Sequence, residues 1–281
     1  MPLSGLSIAI GAALASSVSW LAWRVRALSS SGAWAAAVLG SVVMGVGGLA
    51  FAAPLVAFFA TSSAWSAWRR RRKATPVGET TGRTAAQVIA NGLVAGGLVG
   101  AAALTPAAAS PSTRDWYLLY LCAVAATNAD TWATEVGSAA TRSSRLITTW
   151  RQVPAGTSGG ISLAGSAAAL AGAVCVVAVA WLAWPSASET MLWRIDLAEA
   201  LAVVWSGWMA SLVDSLLGAT LEGHYRCARC GDITETGLHC HVRGSRVRGL
   251  GLVGNGSVNF TASLVSVAIG WFLLRVFAWP T

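Results

Sequence analysis

Long runs of apolar and small residues, separated by short polar and basic segments, occupy most of this 281-residue chain. A hydrocarbon core requires about 20 such residues in a helix, so runs that approach this length are predicted to span a membrane. Pro54 and the glycines between 45 and 48 interrupt one run, whose halves are either two spans or a re-entrant pair. The predicted spans are 4–23, 33–49, 51–68, 86–107, 115–139, 159–184, 196–220 and 257–279.

This pattern predicts an all-α fold, a polytopic transmembrane bundle of about seven or eight helices in a single integral membrane domain over residues 1–281. With 55% hydrophobic and 11% charged residues, and a mean hydropathy of +0.62, the composition excludes an ordinary soluble globule. The first run follows no basic segment and is too long for a cleaved signal, so it is predicted to be retained. We expect a multi-pass protein of the ER or plastid membrane in a eukaryote, or of the plasma membrane in a prokaryote.

The basic residues fall mostly into alternate loops. In the eight-helix interpretation, 16 of the 19 Lys and Arg lie on one side, and only Arg114, Arg194 and Arg275 lie on or near the other. The positive-inside rule assigns the basic side to the cytoplasm and both termini to the outer side. The pI of about 10.1 then reflects topology and attraction to anionic headgroups or phosphates, so nucleic acid is not an expected partner.

Three carboxylates, Asp130, Glu135 and Asp214, lie within otherwise apolar or small-residue stretches. Each costs about 2.5–3.5 kcal/mol to insert, so such residues usually face a bundle interior and mark a site. The alternative interpretation is that these carboxylates lie at helix ends, at the level of the lipid headgroups. Asp130 and Glu135 are about 140° apart on a regular helix, so they share a ligand only if the helix breaks or a second helix contributes. As oxygen donors, the three are predicted to be catalytic and to bind Mg²⁺.

Two further segments on the basic side suit phosphate. Gln87 and Asn91 are four residues apart, so their amides share one helix face. The segment 153–160 leads into a predicted helix, and backbone N–H groups at such a glycine-rich start can cradle an anion. Because no Lys follows the glycines, this is not a Walker A loop, and a simple flexible loop is the alternative. The phosphate-binding candidates here are Gln87, Asn91, Gly156, Thr157, Ser158 and Gly159.

A cysteine and histidine cluster lies in the predicted cytoplasmic loop 222–252, inserted before the last helix. Cys227 and Cys230 form a C-x-x-C pair, and Cys240 follows within the sequence His239, Cys240, His241. This inventory predicts a structural Zn²⁺ bound by Cys227, Cys230, His239 and Cys240, with His241 or His224 as alternatives to His239. A disulfide is disfavoured in a reducing cytoplasmic loop.

Several segments together resemble one known family. RTAAQVIANG, NADTWATEVGS, PAGTSGGISLAGS, SLVDSLLGATLEG and GNGSVNF are similar, in order, to the signatures of the transmembrane protein 19 family, also called domain of unknown function 92, from about residue 29. The resemblance implies functional roles for Gln87, Asn91, Asp130, Glu135, Thr157, Asp214, Asn255 and Asn259. The chain departs from it at Gly254, where relatives often have an acidic residue, and at Glu222, where many have Gln. The cysteine cluster occurs in only some members.

That family includes the plant phytyl-phosphate kinase. The resemblance therefore implies an integral membrane kinase that converts an isoprenoid (phytyl or prenyl) monophosphate to the diphosphate, with Mg²⁺ and a nucleoside triphosphate, CTP or another, as co-substrate. Arg142, Arg145 or Arg151 would stabilise the charge that develops. Two alternatives from other classes stay open: a transporter or lipid-flipping protein that uses the intramembrane carboxylates for coupling ions, and a noncatalytic membrane scaffold.

Overall fold

The computed structural model describes residues 5–72, 82–106, 111–183 and 195–278. Lys73, Arg194 and the predicted span ends at 4, 107, 184 and 279 lie outside these ranges. The described chain is mostly helical, which confirms the predicted all-α class, and a single π-helical turn, Leu274–Ala278, follows its last α-helix. The helices are α1 (Gly5–Arg24), α2 (Ser30–Arg72), α3 (Ala85–Leu104), α4 (Thr113–Ala140), α5 (Leu163–Ala183), α6 (Leu197–Thr220) and α7 (Asn255–Leu273).

Within the described residues, six helices are long and apolar enough to cross a bilayer, which confirms a multi-pass membrane protein. Helix α4 does not meet that criterion, because its Thr, Asn, Asp and Glu side chains lower its hydropathy. It is instead the central helix, with a continuous buried stretch from Tyr117 to Ala129. The bundle thus shields its most polar helix from lipid.

Helix α2 consists of two helical halves that meet at Gly48, whose φ of 68° and ψ of −164° are not helical. A side chain on Gly32 would overlap the Arg83 carbonyl, and Leu39 lies against Gly92. Later residues of the first half therefore contact later residues of α3, so these two helical segments run parallel. Helix α3 in turn is antiparallel to α4, because its late residue Thr105 contacts Trp116 and its early residue Asn91 contacts Thr127.

The second half of α2 follows α4 in the same direction. Phe51 accepts a hydrogen bond from Tyr120 near the start of α4, and Arg69 pairs with Glu135 near its end. The second half is thus parallel to α4, while the first half is antiparallel to it. Gly48 therefore reverses the chain, and α2 consists of two antiparallel helical halves, which agrees with the sequence interpretation of this run as two helical segments. A positive φ at this point favours glycine.

Backbone carbonyl groups at the start of the second half of α2 accept hydrogen bonds from α4. Pro54 has no N–H, so the Ala50 carbonyl four residues before it lacks its intrahelical donor. Tyr117 supplies the missing donor, with its Oη 3.2 Å from the Ala50 oxygen, and Tyr120 donates to the Phe51 carbonyl. Both tyrosines are buried, and they pack edge-on or tilted against the Phe51 ring. Helix α4 therefore completes the backbone hydrogen bonding of the reversal.

The basic loops lie on one face of the bundle, which we call the basic face. Leu28, after α1, forms a β-bridge with Arg83, before α3. At the same face the end of α4 meets the start of α5, since Gly137 lies against Gly165. Short strands form in two of these loops: β1 (Ser143–Leu146), β2 (Gln152–Pro154), β3 (Gly160–Ile161), β4 (His224–Arg226), β5 (Ile233–Thr234), β6 (Leu238–His239), β7 (Val242–Arg243) and β8 (Ser245–Arg248).

These strands pair into three small antiparallel sheets. The first has the order β2-β1-β3 and joins α4 to α5. The second has the order β5-β4-β8, and the hairpin β6-β7 extends from it. Both belong to the loop between α6 and α7, which contains the cysteine cluster. Strands of two to four residues are too short to leave a periodic pattern in the sequence, so none was expected here.

We predict that Tyr117→Phe lowers the free energy of unfolding by about 1–3 kcal/mol, because it leaves the buried Ala50 carbonyl without a donor. Thermal or denaturant unfolding in detergent measures the loss. Tyr225→Phe, in the exposed loop, is the matched control and is expected to have a smaller effect. In a Pro54→Ala background, which restores the N–H, Tyr117→Phe should cost less. An equal cost in both backgrounds would contradict this account.

Candidate functional site

A polar cavity of about 120 Å³ opens among α4, α5 and α6 near the basic face. The loop between β2 and β3 and the first residue of α7 complete its wall. Hydroxyls from Ser138, Ser144, Ser162, Ser166, Ser211 and Ser215 add to its polar lining. The predicted site residues that the structure brings together here are Asp130, Gly156, Thr157, Ser158, Gly159, Asp214 and Asn255.

The carboxyl groups of Asp130 and Asp214 lie within hydrogen-bonding reach of each other at the base of this cavity. Asp130 comes from the C-terminal half of α4 and Asp214 from the C-terminal half of α6. The two helices approach closely because Gly207 has no side chain: a Cβ there would lie 2.8 Å from the Ala125 Cβ. Two carboxylates in a mostly enclosed polar space form a centre suited to a hard cation.

A chain of amides extends from this pair towards α3. One end of the Asn259 side-chain amide lies 2.9 Å from Asp214 Oδ2 and the other lies 2.9 Å from the Asn91 side-chain amide. With its nitrogen turned to Asp214, Asn259 donates to that carboxylate, and its oxygen accepts from Asn91 once the Asn91 amide is turned as well. A small cavity of about 10 Å³ lies among Asn91, Asp130, Asp214 and Asn259. The structure therefore joins two predicted phosphate-binding residues to the carboxylate pair.

The glycine-rich loop forms the opposite wall. Gly156 and Gly159 have positive φ values of 89° and 79°, and a side chain on Gly159 would overlap Ala219 of α6. Thr157 donates through Oγ1 to the Pro154 carbonyl at 2.7 Å, which closes the turn. The loop is thus held against α6 by a close approach that only glycine permits at position 159, and its residues from Gly156 to Gly160 line the cavity.

One guanidinium supports that loop from the far side. Arg248 Nη2 lies 3.4 Å from the Ser158 carbonyl and 3.2 Å from the Gly218 carbonyl at the end of α6. Arg142, Arg145 and Arg151 are exposed and do not line the cavity, and Arg145 donates to the Trp150 carbonyl at 2.9 Å. Of these four guanidinium groups, that of Arg248 is the one that contacts the glycine-rich loop in the described part of the chain.

Glu135 and Gln87 lie apart from the polar cavity. Glu135 accepts a hydrogen bond from Ser66 at 2.6 Å and forms an ion pair with Arg69 at 2.5 Å. Gln87 caps its own helix, with Oε1 accepting from the Thr84 N–H at 3.0 Å. The sequence predicts the same role for Glu135 as for Asp130 and Asp214. In the structure, Arg69 already neutralises the charge of the Glu135 carboxylate.

A larger apolar cavity of about 540 Å³ lies on the other side of Asn91, among α1, α2 and α3. Its lining is aliphatic and aromatic over most of its surface, and Arg83, Gln87 and Asn91 supply polar groups. Representative apolar members are Leu14, Val18, Ala36, Val43, Ala52 and Phe58. Because Asn91 lines this cavity and also the small one beside Asp130, apolar and acidic spaces meet at one residue.

The cysteine loop brings its four predicted zinc ligands together, with their ligand atoms within 4.8 Å of one another. His239 Nδ1 lies 3.5 Å from Cys230 Sγ and 3.3 Å from Cys240 Sγ, and these two sulfurs are 3.9 Å apart. Zinc–sulfur bonds of about 2.3 Å in a tetrahedron give sulfur–sulfur distances of about 3.8 Å. The spacing of Cys230, His239 and Cys240 thus fits a tetrahedral Zn²⁺ site, Cys227 lies close enough to be the fourth ligand, and the three cysteines are free thiols.

Sequence reasoning missed one acidic residue at the polar cavity. Glu235 lines the cavity beside Asp130 and Asp214. The residue is exposed overall, but its carboxyl group is partly desolvated, and this desolvation, together with the negative charge of Glu222, raises the pKa of Glu235 to about 7. Strand pairing brings this residue to the cavity: Tyr225 pairs with Thr234, so Glu235 lies across from His224. No pattern in the sequence indicates this register.

Comparisons with known proteins agree on the class of this chain. It is 32% identical to Protein PGR of Arabidopsis thaliana over 143 residues, which cover 50% of this chain and 48% of that protein. The match therefore spans about half the length of that relative. It is also 26% identical to an uncharacterized membrane protein of Methanocaldococcus jannaschii over 200 residues, which cover 71% of this chain and 76% of the relative. No solved structure matches the chain.

A family model described as "Integral membrane protein DUF92" matches residues 13–267. The matched range contains both cavities, the glycine-rich loop and the cysteine loop. This agrees with the resemblance that the ordered sequence segments indicate. Because the match covers most of the chain, the protein belongs to the DUF92 family of integral membrane proteins.

Proposed function

We propose that this protein is a membrane-embedded kinase that transfers a phosphoryl group from a nucleoside triphosphate to an isoprenoid monophosphate. The observation that carries the proposal is that Asn91 lines both the apolar cavity and the small cavity beside Asp130 and Asp214. A substrate with a long apolar tail and an anionic head needs this arrangement of spaces. A purely water-soluble substrate would have no use for an apolar cavity of about 540 Å³.

The apolar cavity suits the tail. It lies among α1, α2 and α3, within the membrane-spanning part of the bundle, so a lipid can enter it without crossing water. Arg83 and Gln87 lie among its lining residues near the basic face, where the head of an amphipathic ligand would be anchored. The phosphate would then lie near Asn91, within reach of the acidic centre.

The acidic centre fits Mg²⁺. Asp130 and Asp214 would hold the ion, with the side-chain oxygens of Asn255 and the cavity serines available as neutral ligands, since Mg²⁺ prefers a few carboxylates and completes its shell with water and phosphate. The bound ion would neutralise charge on the transferred phosphoryl group. Glu135 takes no part in this arrangement, because Arg69 and Ser66 already occupy its carboxylate oxygens.

The chain's own groups would do the positioning. The nucleophile is an anionic phosphate oxygen, so no strong general base is needed, and the rate depends on alignment and charge stabilisation. The glycine-rich loop from Gly156 to Gly159 would bind phosphate oxygens through its backbone, and Arg248 would hold that loop in place. The amide of Asn259 keeps the Asp214 carboxylate in a fixed orientation.

We predict that Asp130→Asn and Asp214→Asn each reduce phosphoryl transfer by about 100-fold or more, because each removes a charge from the metal centre. The assay follows labelled nucleoside triphosphates and phytyl, geranylgeranyl or farnesyl monophosphate with purified protein, detergent and Mg²⁺. Asp196→Asn is the matched control, because Asp196 caps α6 far from the cavity and Asn caps equally well.

Absence of transfer by folded wild-type protein with every nucleotide and lipid would overturn the kinase proposal. Substrate flux into liposomes would then test the transport alternative, which uses the same carboxylates. Full activity in the Asp214→Asn variant would equally contradict the assigned role of the acidic centre. A scaffold role predicts that none of these substitutions matters for any measured activity.

We further predict that Ala36→Phe, which adds a ring inside the apolar cavity, lowers kcat/KM more for twenty-carbon than for ten-carbon isoprenoid monophosphates. The ring removes volume that only the longer tail uses, so the effect should be several-fold and mainly on KM. Val38→Phe is the matched control, because Val38 is 65% exposed on the same helical segment and does not line the cavity. An equal loss for both chain lengths would argue against this tail site.

For the cysteine loop we propose a structural Zn²⁺ held by Cys227, Cys230, His239 and Cys240. Cys240→Ser should remove about one zinc ion per chain in elemental analysis and abolish thiolate-to-metal charge-transfer absorption in Co²⁺-substituted protein. Cys175→Ser, within α5, is the control and should retain both signals. Unchanged metal content in Cys240→Ser would contradict the site.

A further inference from the structure

A second group of potential metal ligands lies between the cysteine loop and the polar cavity. Glu222, His224 and Glu235 each offer a ligand atom, and these atoms lie within 4.8 Å of one another. Glu222 and His224 are two residues apart at the start of β4, so their side chains share one face, and Glu235 follows the strand paired with β4. The short sheet thus directs three donors to one point.

Glu222 has an unsatisfied oxygen at this point. The residue is 1% exposed, and Ser158 donates to its Oε2, but its Oε1 has no hydrogen-bond partner in the described part of the chain. A buried carboxylate oxygen without a partner is costly, and native structures usually supply a donor or a cation. The described neighbours supply neither to this atom.

His224 is oriented as a metal ligand would be. It is buried, and its Nδ1 lies 3.0 Å from the Glu222 carbonyl, which fixes the proton on Nδ1 and leaves a lone pair on Nε2. Metal-binding histidines usually have such a carbonyl partner on the other ring nitrogen. The Nε2 atom has a long contact of 3.4 Å with Arg248 Nη2. A cation on Nε2 would replace this contact, so the Arg248 guanidinium, whose Nη2 also lies near the Ser158 and Gly218 carbonyls, would have to turn away from His224.

We propose that Glu222, His224 and Glu235 bind a divalent transition-metal cation such as Mn²⁺ or Zn²⁺. One imidazole and two carboxylates suit these ions, whereas Mg²⁺ and Ca²⁺ are usually bound by oxygen alone. This site is separate from the sulfur-rich cluster and from the Asp130–Asp214 pair, and it does not depend on the proposed kinase activity. Because Glu235 lines the polar cavity and Ser158 of the glycine-rich loop donates to Glu222, the ion would stabilise the cysteine loop where it contacts the cavity wall.

The test uses Mn²⁺ as the probe, with full-length protein that carries no polyhistidine tag and retains zinc in the cysteine cluster. Pulsed electron paramagnetic resonance detects the nitrogen of an imidazole bound to Mn²⁺. We expect that signal in wild type and its loss in His224→Gln and Glu235→Gln, with Mn²⁺ affinity at this site weakened at least about 10-fold. Asp232→Asn, an exposed acidic residue of the same loop, is the matched control and should keep the signal.

Asp214→Asn separates this site from the proposed function. It should abolish phosphoryl transfer yet retain the nitrogen signal, because Asp214 is not a ligand of this ion. The proposal is overturned if wild type shows no imidazole nitrogen coupling at saturating Mn²⁺, or if Glu235→Gln retains it unchanged. Glu235 is exposed, so its conservative replacement by Gln is expected to fold, and a thermal unfolding curve checks this.

Discussion

Helix α4 brings polar side chains into the middle of a membrane bundle, and the surrounding helices are arranged to satisfy them. Asn128 is fully buried: its amide nitrogen donates to the Gly172 carbonyl of α5 at 2.7 Å, and Oδ1 lies 3.4 Å from hydroxyls of α2. Near its start the tyrosines complete the backbone of the Gly48 reversal, and near its end Glu135 neutralises Arg69. Each neighbour of α4 is thus fixed by at least one polar contact as well as by apolar packing.

The acidic centre follows from the same constraint. Asp130 lies on the one stretch of α4 where the neighbouring helices leave space, and Asp214 of α6 approaches it where Gly207 and Ala125 meet. Most polar groups of α4 are paired within the protein, whereas these two carboxylates face a cavity. In this DUF92 protein the distinction between structural and functional polar groups is therefore geometric: the former have protein partners, and the latter face space that a ligand can fill.

Much of this could be predicted from the sequence, for identifiable reasons. Hydropathy and length located the helices, and basic residues in alternate loops indicated the common face, because both signals follow directly from the bilayer. The cost of an intramembrane charge singled out Asp130 and Asp214. The same cost also singled out Glu135. An ion pair such as Glu135–Arg69 and a polar cavity can each offset the cost of a charge in the membrane, so this cost alone does not distinguish the two cases. The role of Glu235 was missed because strands of two or three residues carry no periodic pattern, and strand pairing alone brings Glu235 to the cavity.

The reversal at Gly48 also affects how the chain enters the bilayer. A turn made by one non-helical residue leaves no hydrophilic loop between the two halves of α2, and Ala50, Phe51 and Pro54 just beyond it are already buried. No hydrophilic loop therefore has to cross the membrane at this point. This geometry is compatible with insertion of the two halves together as a helical hairpin, whose Ala50 carbonyl would gain its donor only when α4, which is synthesised later, brings Tyr117 into contact.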